Sequence, residues 1–144
     1  MSYKIEDIED KIVTELQTAL AGICDTVSSY HGEIDDLLSD IQKLTVKIPA
    51  AFVLYAGSSF SEPAINSYDE EQTYTIIFIA KNLRGNKDLR AAIYPMIDAG
   101  KNALMDNNLN LDIERLHPLR IEALMISKIY SIYGFDIKTS FYIK

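Results

Sequence analysis

The sequence predicts an α+β fold, with a mostly antiparallel or mixed sheet of four to five strands and about three helices packed on it. Near the N-terminus, apolar residues recur at three- and four-residue steps, which is the period of an amphipathic helix. Later segments, at 72–81 and 135–143, alternate in the period of a strand. The chain has 144 residues, 48% of them hydrophobic, so we expect residues 1–144 to form a single domain.

The first half of the chain is predicted as helix, strand, helix and strand. The first helix carries its apolar side chains on one stripe (Ile5, Ile8, Ile12, Leu16, Leu20), has acidic residues in its first turns and stops near Gly22. A short β-prone segment at 24–30 and a turn at His31-Gly32 follow. Residues 33–44 again show helical spacing. The apolar run 51–56, before Gly57, is typical of a buried central strand.

Residues 58–69 contain serine, proline and asparagine without periodicity, and predict a long loop. A loop of this length in a compact domain is often a contact surface. The strand at 72–81 directs Tyr74, Ile76 and Phe78 to one face of the sheet. A turn follows at 82–86.

The remaining elements are a helix and a hairpin. The third helix is capped by Asp88 and runs to Leu104, with a kink or break expected near Tyr94 because Pro95 lies inside it. Residues 119–132 and 135–143 then predict a hairpin, in which Gly134 is the turn or a bulge.

Composition excludes several classes of protein. The net charge is −7, which disfavours a duplex-binding surface because phosphate contact needs concentrated Lys and Arg. A single cysteine excludes an internal disulfide and fits a reducing compartment. No signal pattern opens the chain, and its longest apolar run is too short to cross a bilayer. We therefore expect the chain to be made in the cytoplasm, without a membrane partner.

No catalytic or metal-binding motif stands out. Cys24 and either His31 or His117 are the residue types of a Cys-His catalytic pair. Nothing in the sequence around Cys24 marks an activated thiol, so we interpret it as a small core residue. His117 is interpreted as a loop histidine. Asp36 and Asp40 share a helix face, yet a solvated helix N-terminus explains them better than a magnesium or calcium site. The sequence predicts no cofactor and no metal.

Charge is distributed unevenly along the chain. Residues 1–72 carry 4 basic and 14 acidic residues, whereas residues 73–144 carry 10 basic and 7 acidic ones. Such asymmetry favours an interaction role, although acidic helices that happen to lie early explain it equally well. Tyrosines near the C-terminal hairpin (Tyr130, Tyr133, Tyr142) fit either an interface or a packed core.

Several segments together resemble a known phage family. They are the acidic helix at 5–12, the Pro-Ala-Ala-Phe-Val-Leu-Tyr-Ala-Gly strand at 49–57, the Tyr-Thr-Ile-Ile-Phe-Ile-Ala strand at 74–80 leading to Asn-Leu-Arg-Gly, the helix at 90–98 and the strand pair after Pro118. This pattern resembles the Mu-like phage family of gene product 37 type, the tail terminators of contractile tails and related bacteriocin particles. The resemblance covers nearly the whole chain, and its motifs concern the fold.

The resemblance implies a structural protein of a virion or tail-like particle, assembled in the host bacterial cytoplasm. Its copies would form a ring, expected to be a hexamer, that caps the tail tube and sheath, ends their polymerisation and meets neck or head-connector proteins. No reaction or cofactor is implied, and no site residue carries over. Two other classes stay open: a cytoplasmic adaptor module of the same fold, and a small enzyme, which the missing motifs disfavour.

A ring requires two different surfaces on each subunit, meeting head to tail. We expect a basic set to meet an acidic set of the neighbouring copy, since complementary charge sets the register of an interface. The basic set is Arg84, Lys87 and Arg90, and the acidic set is Asp35, Asp36 and Asp40. The predicted loop supplies a second candidate contact through Ser58, Ser59 and Phe60.

Overall fold

The computed structural model describes residues 3–32, 48–81, 92–127 and 130–143. A five-stranded mixed sheet, in the order β1-β2-β3-β5-β4, confirms the α+β class. The strands are β1 (Thr26–Ser29), β2 (Ala50–Ala64), β3 (Ser67–Lys81), β4 (His117–Ile126) and β5 (Tyr130–Ile143). β1 runs parallel to β2, and the other neighbouring pairs are antiparallel. The described residues hold two helices, α1 (Ile5–Ala19) and α2 (Tyr94–Leu104). The helix predicted at 33–44 lies outside them.

Helix α1 packs through the stripe that its sequence predicts. Four of the five positions are fully buried (Ile8, Ile12, Leu16, Leu20), and burial of each such side chain stabilises the fold by about 1.5–3 kcal/mol. Ile5, at the first turn, stays 39% exposed. The carboxylate of Asp7 accepts the backbone N–H of Lys4 at 3.1 Å and so satisfies one donor at the helix start. Gly22 follows the helix with a φ of +81°, as a stop residue should.

Helix α2 begins at Tyr94, so the break expected near that residue is confirmed. Pro95 lies in the first turn, where its missing N–H costs no helical hydrogen bond. The predicted cap at Asp88 falls outside the described residues. Gly100 lets the helix approach the sheet closely, because a Cβ there would lie 2.8 Å from Cζ of Phe78.

Both faces of the sheet are packed. The face beneath the two helices, called here the helix side, takes alternate residues of the central strands: Ala51 and Val53, Tyr74, Ile76 and Phe78, and Phe135 and Ile137. The residues between them form a second cluster on the opposite side: Ala50, Phe52, Ile77, Ile79, Tyr130 and Ile132. The alternation predicted for β3 is therefore confirmed, and β2 is a buried central strand only up to Val53.

Two predictions about the strands are wrong. Residues 58–69 do not form a loop, because β2 and β3 run through this segment as an antiparallel hairpin that turns at Ile65-Asn66. The C-terminal hairpin exists, but Gly134 lies inside β5, opposite Glu122, and the chain turns after Ile126 instead. A Cβ on Gly134 would lie 3.2 Å from Cδ1 of Leu124, so this glycine makes room for a neighbouring side chain.

Candidate functional site

The β2–β3 hairpin extends well beyond the helix-covered part of the sheet. β1 pairs with β2 only from Ala50 to Val53. On the other side, the first residue of β4 is level with Gly57, through the pairs His117–Lys138, Lys138–Thr73 and Thr73–Gly57. Among the described strands, β2, β3 and the end of β5 continue beyond that level. We call the hairpin segment 58–72 the arm.

A chain of polar side chains joins the base of the arm to the body. The Glu70 carboxylate accepts hydrogen bonds from Ser58 Oγ at 2.7 Å and Gln72 Nε2 at 2.8 Å. The Tyr74 hydroxyl donates to Gln72 Oε1 at 2.7 Å, and Tyr55 is hydrogen-bonded to Ser58. Burial raises the pKa of Tyr74, so its hydroxyl remains a donor over the whole physiological range. A polar network with its members paired fixes the direction of the arm relative to the sheet.

The outer part of the arm exposes large apolar side chains. Ile65 at the tip is 86% exposed, and Phe60 on β2 is 62% exposed. Tyr68 on β3 is 39% exposed, and Tyr142, beside it on β5, is held by a 2.7 Å hydrogen bond from its hydroxyl to Ser67 Oγ. Apolar side chains carried so far from the core point to a contact surface.

The two edges of the arm differ. On the β5 side, the segment before β4 closes the edge, because Glu114 donates its backbone N–H to the carbonyl of Ser140 at 2.8 Å and accepts the hydroxyl of Thr139 at 2.5 Å. On the other side, no strand in the described part of the chain pairs with the outer edge of β2 from Leu54 to Ala64. This edge therefore has backbone donors and acceptors available for another strand.

Strand β4 forms the opposite edge of the sheet and is exposed along most of its length. Four of its aliphatic side chains are between 39% and 54% exposed: Leu119, Ile121, Leu124 and Ile126. Arg120 links β4 to β5, because its Nε lies 2.8 Å from the Asp136 carboxylate. The same carboxylate accepts a hydrogen bond from Thr75 Oγ1 of β3 at 2.6 Å. A long edge strand with this many exposed aliphatic residues is a template for pairing with another chain.

The predicted site residues divide into two groups. Ser58, Ser59 and Phe60 lie in strand β2, within the arm and along its outer edge. Ser59 and Phe60 are exposed on opposite faces of the strand, whereas Ser58 is half-buried and hydrogen-bonded to Glu70. The charged sets lie outside the described residues: Arg84, Lys87, Arg90, Asp35, Asp36 and Asp40. The charge pairing between copies therefore stays a prediction.

The tyrosines near the C-terminus separate by exposure. Tyr130 is buried at the start of β5, Tyr133 packs edge-on against Tyr94 with ring centroids 6.4 Å apart, and Tyr142 is 48% exposed beside the arm. Tyr142 is thus the tyrosine of this group that a partner can reach.

The groups considered for catalysis lie in different surroundings. Cys24 is half-buried against the helix-side core, and burial raises the pKa of its thiol to about 12, which opposes formation of a thiolate. His117 lines an open cleft of about 400 Å³, in which Lys138 and Glu71 form an ion pair at 3.5 Å. No group of three or more potential metal ligands occurs among the described residues.

Sequence reasoning missed the importance of β4. The sequence predicts residues 119–132 as one strand of a hairpin, without indicating that this strand lies at the edge of the sheet with exposed aliphatic side chains. A signal was available in Pro118, since proline in a strand favours an edge position. None of the described helices combines the length and the apolar character needed to cross a membrane.

In the described part of the chain, the fold is an α+β domain whose sheet leaves the outer part of β2 and the edge of β4 without a paired strand and extends into the arm. The chain belongs to the Bacteriophage Mu Gp37 family, whose sequence model matches residues 4–142. The resemblance seen in the sequence is thereby confirmed, and membership places the chain among phage structural proteins. No curated protein matches the chain.

Proposed function

We propose that this protein is the terminator of a contractile phage tail or tail-like particle, and that it has no catalytic role. In this role, copies of the chain assemble as a ring on the end of the tail tube and sheath and stop further polymerisation. Family membership supports a structural role in a phage. The observation that carries the proposal further is the presence of two different open edges, on opposite sides of one sheet.

Opposite, unlike edges favour a ring over a symmetric dimer. A two-fold dimer joins the same patch of both subunits, whereas head-to-tail contacts join different patches and close into a ring when the rotation permits. Here the open edge of β2 and the edge of β4 are separated by the width of the sheet. Each subunit is thus equipped to contact two neighbours at once. The hexameric number follows from the resemblance in sequence and belongs to the proposal.

The arm supplies a surface beyond the ring contacts. Its tip carries Ile65 and lies farthest from the two helices, so it is available to a partner above or below the ring. We assign this surface to the tail tube or sheath protein, since a terminator must bind the last ring of the polymer that it ends. Contact with neck or head-connector proteins is part of the same proposal.

The deciding experiment is to locate the chain in an assembled tail. Tails are produced with a tagged chain, and electron cryo-microscopy then shows whether a ring of it lies at one end. A parallel preparation without the chain should yield tails of irregular length, because nothing stops polymerisation. Tails of normal length without the chain, or its absence from the tail ends, would contradict the proposal. A monomer or dimer bound to a partner unrelated to the tail would favour the adaptor alternative.

A further inference from the structure

We propose that the β4 edge of one copy pairs, antiparallel, with the open β2 edge of the next copy, so that one continuous sheet runs around the assembly. This inference rests on the proposed function, because it names the contact by which the ring is built. The occupant of each edge is thus a second copy of the same chain. The two edges have similar lengths, from His117 to Ile126 and from Leu54 to Ala64.

The strand directions agree with such pairing. β2 is antiparallel to β3, β3 to β5, and β5 to β4, so β4 runs opposite to β2 within each subunit. A neighbouring subunit whose sheet continues in the same sense therefore presents its β2 antiparallel to this β4. Antiparallel pairing is the more stable and more common form of strand contact.

Side-chain sizes on the two edges also fit. The β4 edge carries bulky aliphatic residues, with Ile121 and Ile126 exposed by 39% and 54%. The β2 edge offers small residues at Gly57, Ser58 and Ser59, followed by the exposed ring of Phe60. Ile121 is paired with Phe135, and Phe60 is level with Phe141 through Glu70. Phe135 and Phe141 both belong to the helix-side core, so Ile121 and Phe60 lie on that same side of the sheet. Pairing would bring these two apolar groups into contact.

The offset between the edges is compatible with closure. Ile121 is level with Ile76 of β3, through Phe135, whereas Phe60 on the open β2 edge is level with Glu70 of β3. That difference is about six residues, or about 20 Å along a strand. Three strand spacings within a subunit and one to its neighbour span about 19 Å. Continuous pairing therefore inclines the strands by about 45° to the ring axis. Closed sheets typically incline their strands by about 35–45°.

A single contact of this kind is weak. One strand pair buries much less than the roughly 800 Å² per partner of a stable interface. Free subunits should therefore stay apart, and the contact should form when several copies are held together on a tail. Closure then makes each contact support the others, as in multivalent binding.

Cysteine cross-linking tests the pairing directly. Three variants are made in a Cys24→Ser background: Ile121→Cys, Phe60→Cys and the double variant. The cross-linker is a short bis-maleimide, whose length tolerates a shift of one or two residues in the register of the strands. On assembled tails the double variant should give a ladder beyond the dimer, and a mixture of the single variants should give a cross-linked dimer. Each single variant alone should stay uncross-linked. A matched control replaces Ile121→Cys by Met105→Cys, whose parent side chain is 38% exposed outside both edges, and should give no ladder.

The outcomes separate this inference from the proposed function. Dimers from Ile121→Cys alone would show a symmetric β4–β4 contact and overturn the inference. So would a double variant that remains uncross-linked although the chain is seen at the tail end, and in that case the terminator role survives. A ladder from the concentrated chain that never associates with tails would uphold the edge pairing and contradict the terminator role.

Discussion

At the scale of single residues, the tightest point of the fold lies between α2 and the sheet. Replacing Gly100 by alanine places a Cβ 2.8 Å from Cζ of the fully buried Phe78. Overpacking costs about 1–3 kcal/mol, and the gain in helix propensity offsets about 1 kcal/mol of it. We expect Gly100→Ala to lower the free energy of unfolding by about 1 kcal/mol, measured by urea denaturation. Greater stability would show that the ring can move aside, and Phe78→Leu should relieve the loss in a double-mutant cycle.

The thiol of Cys24 should be slow to react. It is half-buried, and its pKa is raised to about 12 by burial first and by Asp25 second. Since the thiolate is the reactive species, we expect alkylation at pH 8 to be far slower than for a free cysteine peptide. Denaturant should restore the peptide rate. A rapid reaction in the native protein would contradict this environment and reopen a nucleophilic role for Cys24.

Glu9 should make stability depend on pH. Burial, with a smaller contribution from Asp10, raises the pKa of its carboxyl above 4.5. The folded chain therefore holds this proton to higher pH than the unfolded chain, and the corresponding stability is lost as pH rises through the folded pKa. We expect Glu9→Gln to be more stable than the parent at pH 7 and to lose that advantage below pH 4. Denaturation at both pH values measures this, and an advantage that grows in acid would contradict it.

At the scale of elements, the projecting arm should be separable from the fold. We expect removal of residues 61–69, with Phe60 joined to Glu70 through Asn-Gly, to leave the folded body intact, because every residue removed is exposed apart from Ser67. Binding to tails should be lost. Far-ultraviolet circular dichroism and co-sedimentation with tails measure the two effects. Asn66→Gly, at a tip residue with a φ of +62°, is the control that keeps the arm; tail binding by the shortened chain would contradict an assembly role.

Elements whose apolar side chains pack against a core could be predicted from the sequence. α1 and β3 each place apolar residues against a core, so Ile12 and Ile76 follow the period of helix and strand respectively. The arm has no buried apolar face: its buried residues are the polar Ser67 and Gln72, and residues such as Ser59 and Glu62 are exposed. Without a buried apolar face there is no alternation of apolar and polar residues, and the segment therefore resembled a loop.

The hairpin turn was misplaced for a different reason. Glycine favours turns, yet Gly134 is needed inside β5 because the side chain of Leu124 lies over it. Leu124 falls at a register shift in β4, between Ala123 and Met125. Such a bulge redirects a side chain by tertiary pairing, which local sequence does not reveal. The edge position of β4 likewise depends on the order of strands in the sheet, and Pro118 is the one local signal for it.

At the scale of the whole molecule, net charge and edge pairing act in opposite directions. Each copy carries a net charge of −7, so neighbouring copies repel one another at low salt. The exposed groups of the β4 edge are mostly aliphatic, and strand pairing relies on backbone hydrogen bonds. By contrast, a ring held by the predicted pairing of Arg84 and Arg90 with acids of the next copy draws its strength from charge attraction. Ionic strength therefore distinguishes the two sources of cohesion.

Adding salt shortens the Debye length from about 30 Å at 0.01 M to about 10 Å at 0.1 M. If edge pairing holds the ring, screening removes repulsion between copies, and we expect assembly to occur at lower protein concentration as salt rises. If charge pairing dominates, assembly should require more protein. Analytical ultracentrifugation of the concentrated chain, or cross-linking yield on tails, measures the direction. As a control, Arg84→Glu with Arg90→Glu makes each copy more negative, so it should strengthen an edge-driven salt response without changing its direction. A response that reverses in this variant would assign the ring contact to charge.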